Sequence, residues 1–466
     1  MRDAVTFYLN GKRHVAGAEL AMMTLSRYLR YDVRATGTKI VCEEGDCGAC
    51  TVLIGRRENG SLRYRPVNSC ITFLFQLDCA HVVSVEGLAV NGKLTPVQDA
   101  MVRCHGAQCG YCTPGFIMAM AAMYENGGSH DARAALTGNL CRCTGYEPII
   151  KAASEVRDQP TCEQLYPSAE MLREFDAIER EAVRAGAFFK PVELKDAIDF
   201  KAAHSKCVIV QGATDFGVWC NKRGFTTDAV LSLDGIEGFN ELRVDGGQLR
   251  VGGRVTLSQL EAFIAAKVPV FGQILDRFGS PQIKNAGTLA GNIANASPIA
   301  DTLPFLYVTD ARLELTGRNG TRTVPIGSFY RGYKTLDLAQ DEIIMRIIIP
   351  LPDRNDTLRL YKVSKRSHLD ISSFTAAMLM RRSGDRIGAI RIAYGGVGPM
   401  ILRLPRTESF LTGKPFSLDT IEDAGAIAKE EITPISDVRG SRDFRLQLAE
   451  NVLKKFYYDL TGSELH

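Results

Sequence analysis

No apolar run in this sequence reaches the ~18 residues that a membrane-crossing helix needs. The longest, FIMAMAAMY and IIMRIIIPL, are the size of core elements. The first residues, MRDAVTFYLNGKRH, contain neither the apolar stretch of a secretory signal nor a twin-arginine pair. An excess of one charge is also missing. The 56 basic residues face 53 acidic ones, and a net +3 gives no ground for binding nucleic acid or an anionic membrane. There is no internal repeat, no low-complexity tract and no G-x-G-x-x-G after a strand, so a Rossmann fingerprint is absent. The seven histidines are scattered without ligand spacing. Together these absences predict a cytoplasmic globular protein of three or four domains across 466 residues, with its thiols kept reduced.

Cysteine, by contrast, is present and concentrated. Of 13 cysteines, ten lie between Cys42 and Cys143. In a reducing compartment, clustered thiols point to metal rather than disulfides. Cys42, Cys47, Cys50 and Cys70 form a C-x4-C-x2-C run with a distant fourth member, the plant-ferredoxin spacing for a [2Fe–2S] cluster. Gly45, Gly48 and Ala49 are small where the backbone must approach a cluster. Zinc, the alternative, usually takes two C-x2-C knuckles, and this set has one. The second set is Cys109-x2-Cys112, 28 residues, then Cys141-x-Cys143, and its C-x-C is rare in zinc knuckles. Each of its halves precedes an expected helix, CTPGFIMAMAAMYENGG with Pro114 near its start and Gly127-Gly128 at its end, and GYEPIIKAASEV with Pro148. Helix N-termini favour thiolates and an anionic cluster. Cys79, Cys104, Cys162, Cys207 and Cys220 have no such spacing and read as small core residues, and His105 as a neighbour of the second set.

The rest of the chain reads coarsely. AVTFYLNGKRHV is a hairpin about Asn10-Gly11, and AMMTLSRYLR puts Met22, Leu25, Tyr28 and Leu29 on one helical face. TVLIG is a strand, followed by an exposed loop to Cys70. Residues 159–188 read as a connector with a solvated helix EMLREFDAIEREAV. From KPVELKDAIDFKAAH the texture becomes α/β, with strands CVIVQ, RLELTG and IIMRIIIP. Pro350 and Pro352 mark a last domain, in which AAMLMRRSGDRIGAIRIAYGGVGP reads as paired strands. QGATDFG after CVIVQ has the makings of an anion-binding turn. NAGTLAGNIANASP offers close backbone approach at its glycines, with Thr288 and Asn292 as side-chain donors to phosphate oxygens.

GDCGACTV, QCGYCTPGF and CRCTGY, in that order, resemble the iron–sulfur region of the molybdenum hydroxylases, the xanthine dehydrogenase and aldehyde oxidase family. GSPQIKNAGTLAGNIANASPIADTLP resembles their FAD-binding domain. The family commonly has Glu-Gly before its first cysteine, where this chain has Ile40-Val41. The resemblance implies a multidomain α/β and α+β fold. Its parts are a β-grasp, plant-ferredoxin-like [2Fe–2S] domain (1–85), a helical-bundle [2Fe–2S] domain (86–158), a linker (159–185), an α+β FAD-binding domain of the vanillyl-alcohol-oxidase type (186–352) and a C-terminal α/β flavoprotein domain (353–466). The first cysteine set matches the cluster nearer FAD, the second the cluster nearer molybdenum, and Gln108 matches a glutamine that meets the pterin cofactor. Val210, Gln211, Gly212, Ala213, Thr214, Asp215 and Phe216 match the first FAD loop. Phe278, Thr288, Leu289, Ala290, Gly291, Asn292, Asp301, Ile344 and Lys362 match further FAD contacts. AYGGVGP resembles a loop near the flavin and NAD site. The implied role is the small iron–sulfur/FAD subunit of a purine-oxidising enzyme: two [2Fe–2S] clusters and FAD, a large molybdenum-pterin partner in an (αβ)2 heterotetramer, NAD+ as acceptor, and no general acid or base on this chain. An aldehyde or another N-heterocycle as substrate, or a zinc-stapled binding module, are the competing readings.

Overall fold

The structure is a computed structural model that describes residues 1–89, 92–125 and 131–462. The chain forms two compact units. One comprises Met1–Glu237 with Gly279–Gly287, the other Gly238–Phe278 with Thr288–His466.

The first unit begins with a five-stranded mixed sheet: β1 (Val5–Leu9), β2 (Lys12–Ala16), β3 (Thr51–Glu58), β4 (Ser61–Asn68) and β5 (His81–Val83), in the order β2-β1-β5-β3-β4. Asn10 and Gly11 join β1 to β2 with φ of 48° and 78°, the left-handed pair that a two-residue hairpin requires. Asn59 and Gly60, at 49° and 80°, do the same between β3 and β4. This second turn corrects the expected exposed loop after TVLIG, which is instead a strand. Leu62 and Tyr64 on it are buried by period-two alternation about the exposed Arg63, and the alternation ends where Val67 and Asn68 are both buried. The expected helix AMMTLSRYLR is shorter, running from Leu25 to Asp32, and it buries Leu25, Tyr28 and Leu29 as its spacing demanded.

Helices Pro96–Arg103, Thr113–Ala122 and Glu147–Glu155 follow. Pro114 and Pro148 stand in their first turns. The expected stop at Gly127-Gly128 lies outside the described residues. Helix Ala169–Ile178 is less solvated than its charges suggested, because Met171 and Phe175 are buried, and Phe175 meets Tyr8 edge-on. A four-stranded sheet then combines antiparallel Val183–Ala185 and Phe188–Lys190 with parallel Val230–Leu231 and Val208–Ile209.

Asp78 ties this sheet to the first. Its carboxylate accepts from Arg2 (2.9 and 2.8 Å), from Lys190 Nζ (2.6 Å) and from the Thr6 amide (3.0 Å). Burial opposes the charge, but the Arg2 and Lys190 cations outweigh it and hold Asp78 below the usual carboxylate range.

The second unit contains two antiparallel sheets. One has the order Leu242–Asp245, Gln248–Gly252, Ile343–Pro350, Arg312–Gly317, Gly320–Pro325. The other joins Asp356–Val363, Phe374–Ser383, Arg386–Gly395 and Leu402–Arg403. Its central hairpin is the expected strand pair. Helices Leu418–Glu430 and Arg442–Thr461 supply Ile421, Ala424, Leu453 and Phe456 to the core that covers it. Among the described residues no helix is long and apolar enough to cross a membrane.

Candidate cofactor sites

The first cysteine loop is built by backbone that only small or polar residues adopt easily. Glu43, Gly45 and Gly48 have φ of 56°, 83° and 69°. Asn68 Nδ2 donates to the Gly45 carbonyl (2.7 Å), and Asn221 Nδ2 donates to those of Glu43 (3.0 Å) and Cys70 (2.8 Å). The loop is thus held at its turns by two amides. Cys42 contacts the thiols of Cys47 and Cys70, and Cys50 contacts Cys70. Those hydrogen bonds hold Cys42 and Cys50 below the ordinary thiol range, although burial opposes the charge. Cys50 and Cys70 are buried, while Cys42 and Cys47 are half-buried.

The second set is also brought together, from chain segments some thirty residues apart. The Sγ atoms of Cys143 and Cys109 are 3.7 Å apart, and Cys112 contacts Cys141. Cys112 is the N-cap of helix Thr113–Ala122. Tyr146, with φ of 70°, caps helix Glu147–Glu155, and its hydroxyl accepts from the Cys141 amide (3.0 Å). Burial pushes the Cys112 thiol up to about 12. Cys109, Cys143 and Gln108 are exposed.

These contacts bear on which metal group the residues fit. A mononuclear zinc needs four ligands around one point, whereas a two-iron cluster takes two thiolates on each iron. Among the described residues no three His, Cys, Asp or Glu side chains converge as a single-ion site. In the first set Cys42 meets both Cys47 and Cys70, and Cys70 also meets Cys50; in the second Cys109 meets Cys143 and Cys112 meets Cys141, so each set gathers the four thiols that a dinuclear cluster takes. Two buried hydroxyls, Thr38 Oγ1 beside the first set and Thr113 Oγ1 after Cys112, have no partner in the protein. Of the remaining cysteines only Cys162 is fully buried. Cys79, Cys104, Cys207 and Cys220 are half-buried, with Cys79 and Cys104 packed against the core that holds Cys162 and Cys220 against that of the first sheet, so these three lie at core edges. His105 is exposed.

The residues matched to FAD fall in both units. In the first, strand Val208–Ile209 leads into Gln211 and Gly212, and helix Phe216–Arg223 follows. Val210, Ala213 and Phe216 bury their side chains in the core, so backbone is what this loop presents. A Cβ at Gly212 would stand 2.0 Å from the Ala286 carbonyl, so no larger residue fits. Gln76 Nε2 donates to the Gln211 carbonyl (2.7 Å). Gln211 Nε2 is buried with no acceptor in the protein, while the Gly217 and Trp219 amides at the start of the helix donate back to the carbonyls of Ala213 (2.7 Å) and Asp215 (3.0 Å) and so order the turn. Thr214 and Asp215 are half-buried on the turn. Such a set of donors suits a diphosphate.

In the second unit Thr288 Oγ1 accepts from the Gly291 amide (3.0 Å), capping helix Leu289–Asn295. The Thr288 oxygen is the acceptor in this cap, so its O–H is left to donate, as the expected contact to a phosphate oxygen requires. Asn292 Oδ1 accepts from Thr302 Oγ1 (2.5 Å), which leaves its N–H groups as donors. Leu289 and Ala290 are buried and Gly291 is exposed. Asp301 and Lys362 meet as a buried ion pair at 2.6 Å. Ser372 Oγ adds a hydrogen bond to Asp301 (2.5 Å), a partner the sequence reading passed over in the stretch DISSF. Ile344 pairs with Leu315 in the sheet and is buried, and Phe278 packs on the same core. Their side chains serve packing.

Three family models match the chain. One described as the [2Fe-2S] binding domain covers residues 84–154. The FAD binding domain in molybdopterin dehydrogenase covers 181–352, and the CO dehydrogenase flavoprotein C-terminal domain covers 359–460. Xanthine dehydrogenase 1 of Arabidopsis thaliana is 28% identical over 97% of this chain and 39% of that protein. Aldehyde oxidase 1 of Rattus norvegicus is also 28% identical, over the same two shares. The chain therefore spans about two fifths of the curated relatives' length. Among solved structures, quinoline 2-oxidoreductase from Pseudomonas putida 86 aligns with a TM-score of 0.55 and 28% identity, over 59% of this chain and 96% of that one. CO dehydrogenase from Oligotropha carboxidovorans, at 24% identity, has the same TM-score and shares the fold. A [2Fe–2S] domain and flavin-binding domains on one chain define an iron–sulfur flavoprotein. Models of the [2Fe-2S], FAD-binding and flavoprotein C-terminal domains found in molybdenum hydroxylases match in that order along the chain, which supports a molybdenum hydroxylase small subunit carrying the electron-transfer domains.

Proposed function

We propose that this chain is the electron-transfer subunit of a xanthine dehydrogenase. It works beside a large molybdenum-pterin subunit in an (αβ)2 assembly that hydroxylates xanthine and hypoxanthine to urate, with NAD+ as the final acceptor. The observation that carries this reading is the gathering of eight thiols into two sets of four, Cys42, Cys47, Cys50 and Cys70 in one and Cys109, Cys112, Cys141 and Cys143 in the other. When bound, two [2Fe–2S] clusters pass electrons singly and FAD collects two, so such a chain bridges a two-electron donor and a two-electron acceptor.

The protein's own contribution is position and tuning. Asn68 and Asn221 fix the first cysteine loop. Gln108, exposed beside Cys109, is placed to meet the pterin of the partner. Val210 to Phe216 offer backbone amides and Gln211 Nε2 to FAD phosphate oxygens. Within the second unit, Thr288 to Asn292 supply a capped helix end, and Asp301 with Lys362 a fixed charged pair, as further FAD contacts. Phe278 and Ile344 shape the core behind it.

The test is the isolated chain against the reconstituted pair. Alone it should contain about four irons and about four sulfides with non-covalent FAD, reduce a dye with NADH, and oxidise no purine. Adding the large subunit should restore xanthine oxidation. A colourless, zinc-loaded chain, or purine oxidation without a partner, overturns the reading. A second reading has equal support in identity: aldehyde oxidase 1 and quinoline 2-oxidoreductase match at the same 28%, and a partner for an aldehyde or another N-heterocycle would leave this chain's role unchanged. The product formed by the reconstituted pair decides between them.

A further inference from the structure

Gln282 lies in the sequence region matched to FAD binding, but its segment Gly279–Gly287 belongs to the first unit, while residues on either side belong to the second. Its side chain is 1% exposed. Nε2 donates to Asn139 Oδ1 (2.9 Å) and to Thr51 Oγ1 (3.2 Å). Asn139 Nδ2 in turn donates to the Gly48 carbonyl (3.0 Å), which also accepts from Thr51 Oγ1 (2.6 Å). Thr51 follows Cys50, Gly48 follows Cys47, and Asn139 stands two residues before Cys141. One buried amide thus joins the loops of both cysteine sets.

The packing around this node leaves no slack. A Cβ at Gly138 would stand 1.8 Å from Gln282 Oε1, and one at Gly48 would stand 2.2 Å from the Gly138 carbonyl. Directly beside it, the amide of Leu140, the residue before Cys141, donates to the carbonyl of Cys47 (3.0 Å). This is a direct hydrogen-bonded link between the two ligand loops. Gln282 Oε1 itself is buried without a partner, so the residue carries a desolvation cost that an apolar side chain of the same length would not. That cost accompanies an amide whose two donors are both used across the loops.

We propose that Gln282 is a positioning residue that sets the separation and orientation of the two iron–sulfur clusters by clamping their loops to each other. The inference rests on the cluster assignment of the preceding section and adds a residue outside both cysteine motifs. Ser280 Oγ, which caps Ile283 (3.1 Å), and Asn285 Nδ2, which donates to the Pro66 carbonyl (3.0 Å), fix the short helix Pro281–Lys284 that presents Gln282.

The test uses the full, iron-loaded chain with both clusters reduced, and reads the magnetic interaction between them as splitting in the electron paramagnetic resonance spectrum. Gln282→Met keeps length and removes both donors. Its iron and FAD content should equal wild type, while the splitting shifts and broadens. Thr51→Val removes the shared acceptor and should give the same change, with the double variant no worse than either single one. Should Gln282→Met lose iron, Thr51→Val alone decides. Unchanged splitting in the variant that retains its iron overturns the proposal and leaves the cluster assignment standing. A wild-type chain without two iron–sulfur signals would overturn that assignment instead.

Discussion

The two cysteine sets have the same number of thiols and opposite surroundings. The first is enclosed within the first unit, where Val218 and Ile283 pack against Cys50 and Cys70. Cys50 and Cys70 are 2% exposed, and two asparagine amides brace the loop around them. The second lies at the surface, with Cys109 and Cys143 exposed and Tyr111 and Leu140 showing 47% and 40% of their area beside them. An enclosed site can shield its contents from solvent without help. An open one rimmed by apolar side chains is the kind of surface that a partner covers. The contrast supports the proposed order of the relay, in which the second set faces the molybdenum subunit.

The largest test of the contrast compares one glycine in each loop. Gly48 and Gly110 hold the same place in CGAC and CGYC, with φ of 69° and 79°. A Cβ on Gly48 meets backbone, the Gly138 carbonyl at 2.2 Å, and a Cβ on Gly110 meets nothing within 4 Å. Gly110→Ala should therefore cost only the left-handed backbone penalty, about 1–2 kcal/mol. Gly48→Ala adds an overpacking cost that no side-chain rotation relieves, for a loss of roughly 3–5 kcal/mol and of the first cluster's signal. Urea midpoints measure both. Equal losses would show that the two loops are enclosed alike.

Next in size is an acid sensitivity expected of the enclosed domain. His81 is fully buried on β5. Its Nε2 accepts from the Gly11 amide (3.1 Å), so the proton sits on Nδ1 and is donated to the Tyr64 oxygen (2.7 Å). Burial lowers its pKa to about 4. In the unfolded chain it titrates near 6.5, so between those values only the unfolded state takes up the proton. The contribution is complete above pH ~6.5, declines as pH falls, and amounts to about 3 kcal/mol lost by pH 4. His81→Gln should remove this part of the pH dependence. A wild-type midpoint that stays flat from pH 7 to 4.5 would contradict the neutral, buried histidine.

How much of this was readable in the sequence depended on how local the signal was. Asn10-Gly11 announced its hairpin because two adjacent residues determine it. The cysteine sets were legible because ligand spacing is itself a local pattern, and their gathering follows from the fold. Strand Ser61–Asn68 was missed because its alternation is short, ending after Tyr64, and because Pro66 falls inside it. Gln282 was invisible as a cluster residue. Its partners Asn139 and Thr51 are 143 and 231 positions away, and only the packed structure brings such residues together. Asp301 and Lys362 came from resemblance, and Ser372, which completes their hydrogen-bonding, had no spacing to give it away.

Chelation measures the contrast more gently. Because Cys109 and Cys143 are exposed and Cys50 and Cys70 are not, a chelator with a trace of urea should remove iron in two stages. About half should leave early, together with the second cluster's signal, and the rest only as the first domain opens. Cys47→Ser and Cys143→Ser, each lacking one set, should show only the early and only the late stage respectively. A single stage in wild type would mean that exposure at the cysteines does not control access.

The smallest effect on the chain itself, and the most specific, belongs to Gln108. Its side chain is exposed, and it lies next to Cys109 at the open edge of the second set. Replacing an exposed side chain that has no role in packing changes stability by less than about 0.5 kcal/mol, so Gln108→Ala should unfold at the wild-type urea midpoint and keep both clusters and FAD. NADH-to-dye turnover should likewise be unchanged, since the flavin end of the proposed relay needs nothing from this residue. With the large subunit bound, electron entry from molybdenum should slow, seen as delayed bleaching of both clusters after substrate is mixed in. The split between the two assays carries the information. A residue that merely supported the fold would depress both, and one with no role at the interface would depress neither. Only a residue on the partner-facing side of the second set would slow entry and spare exit.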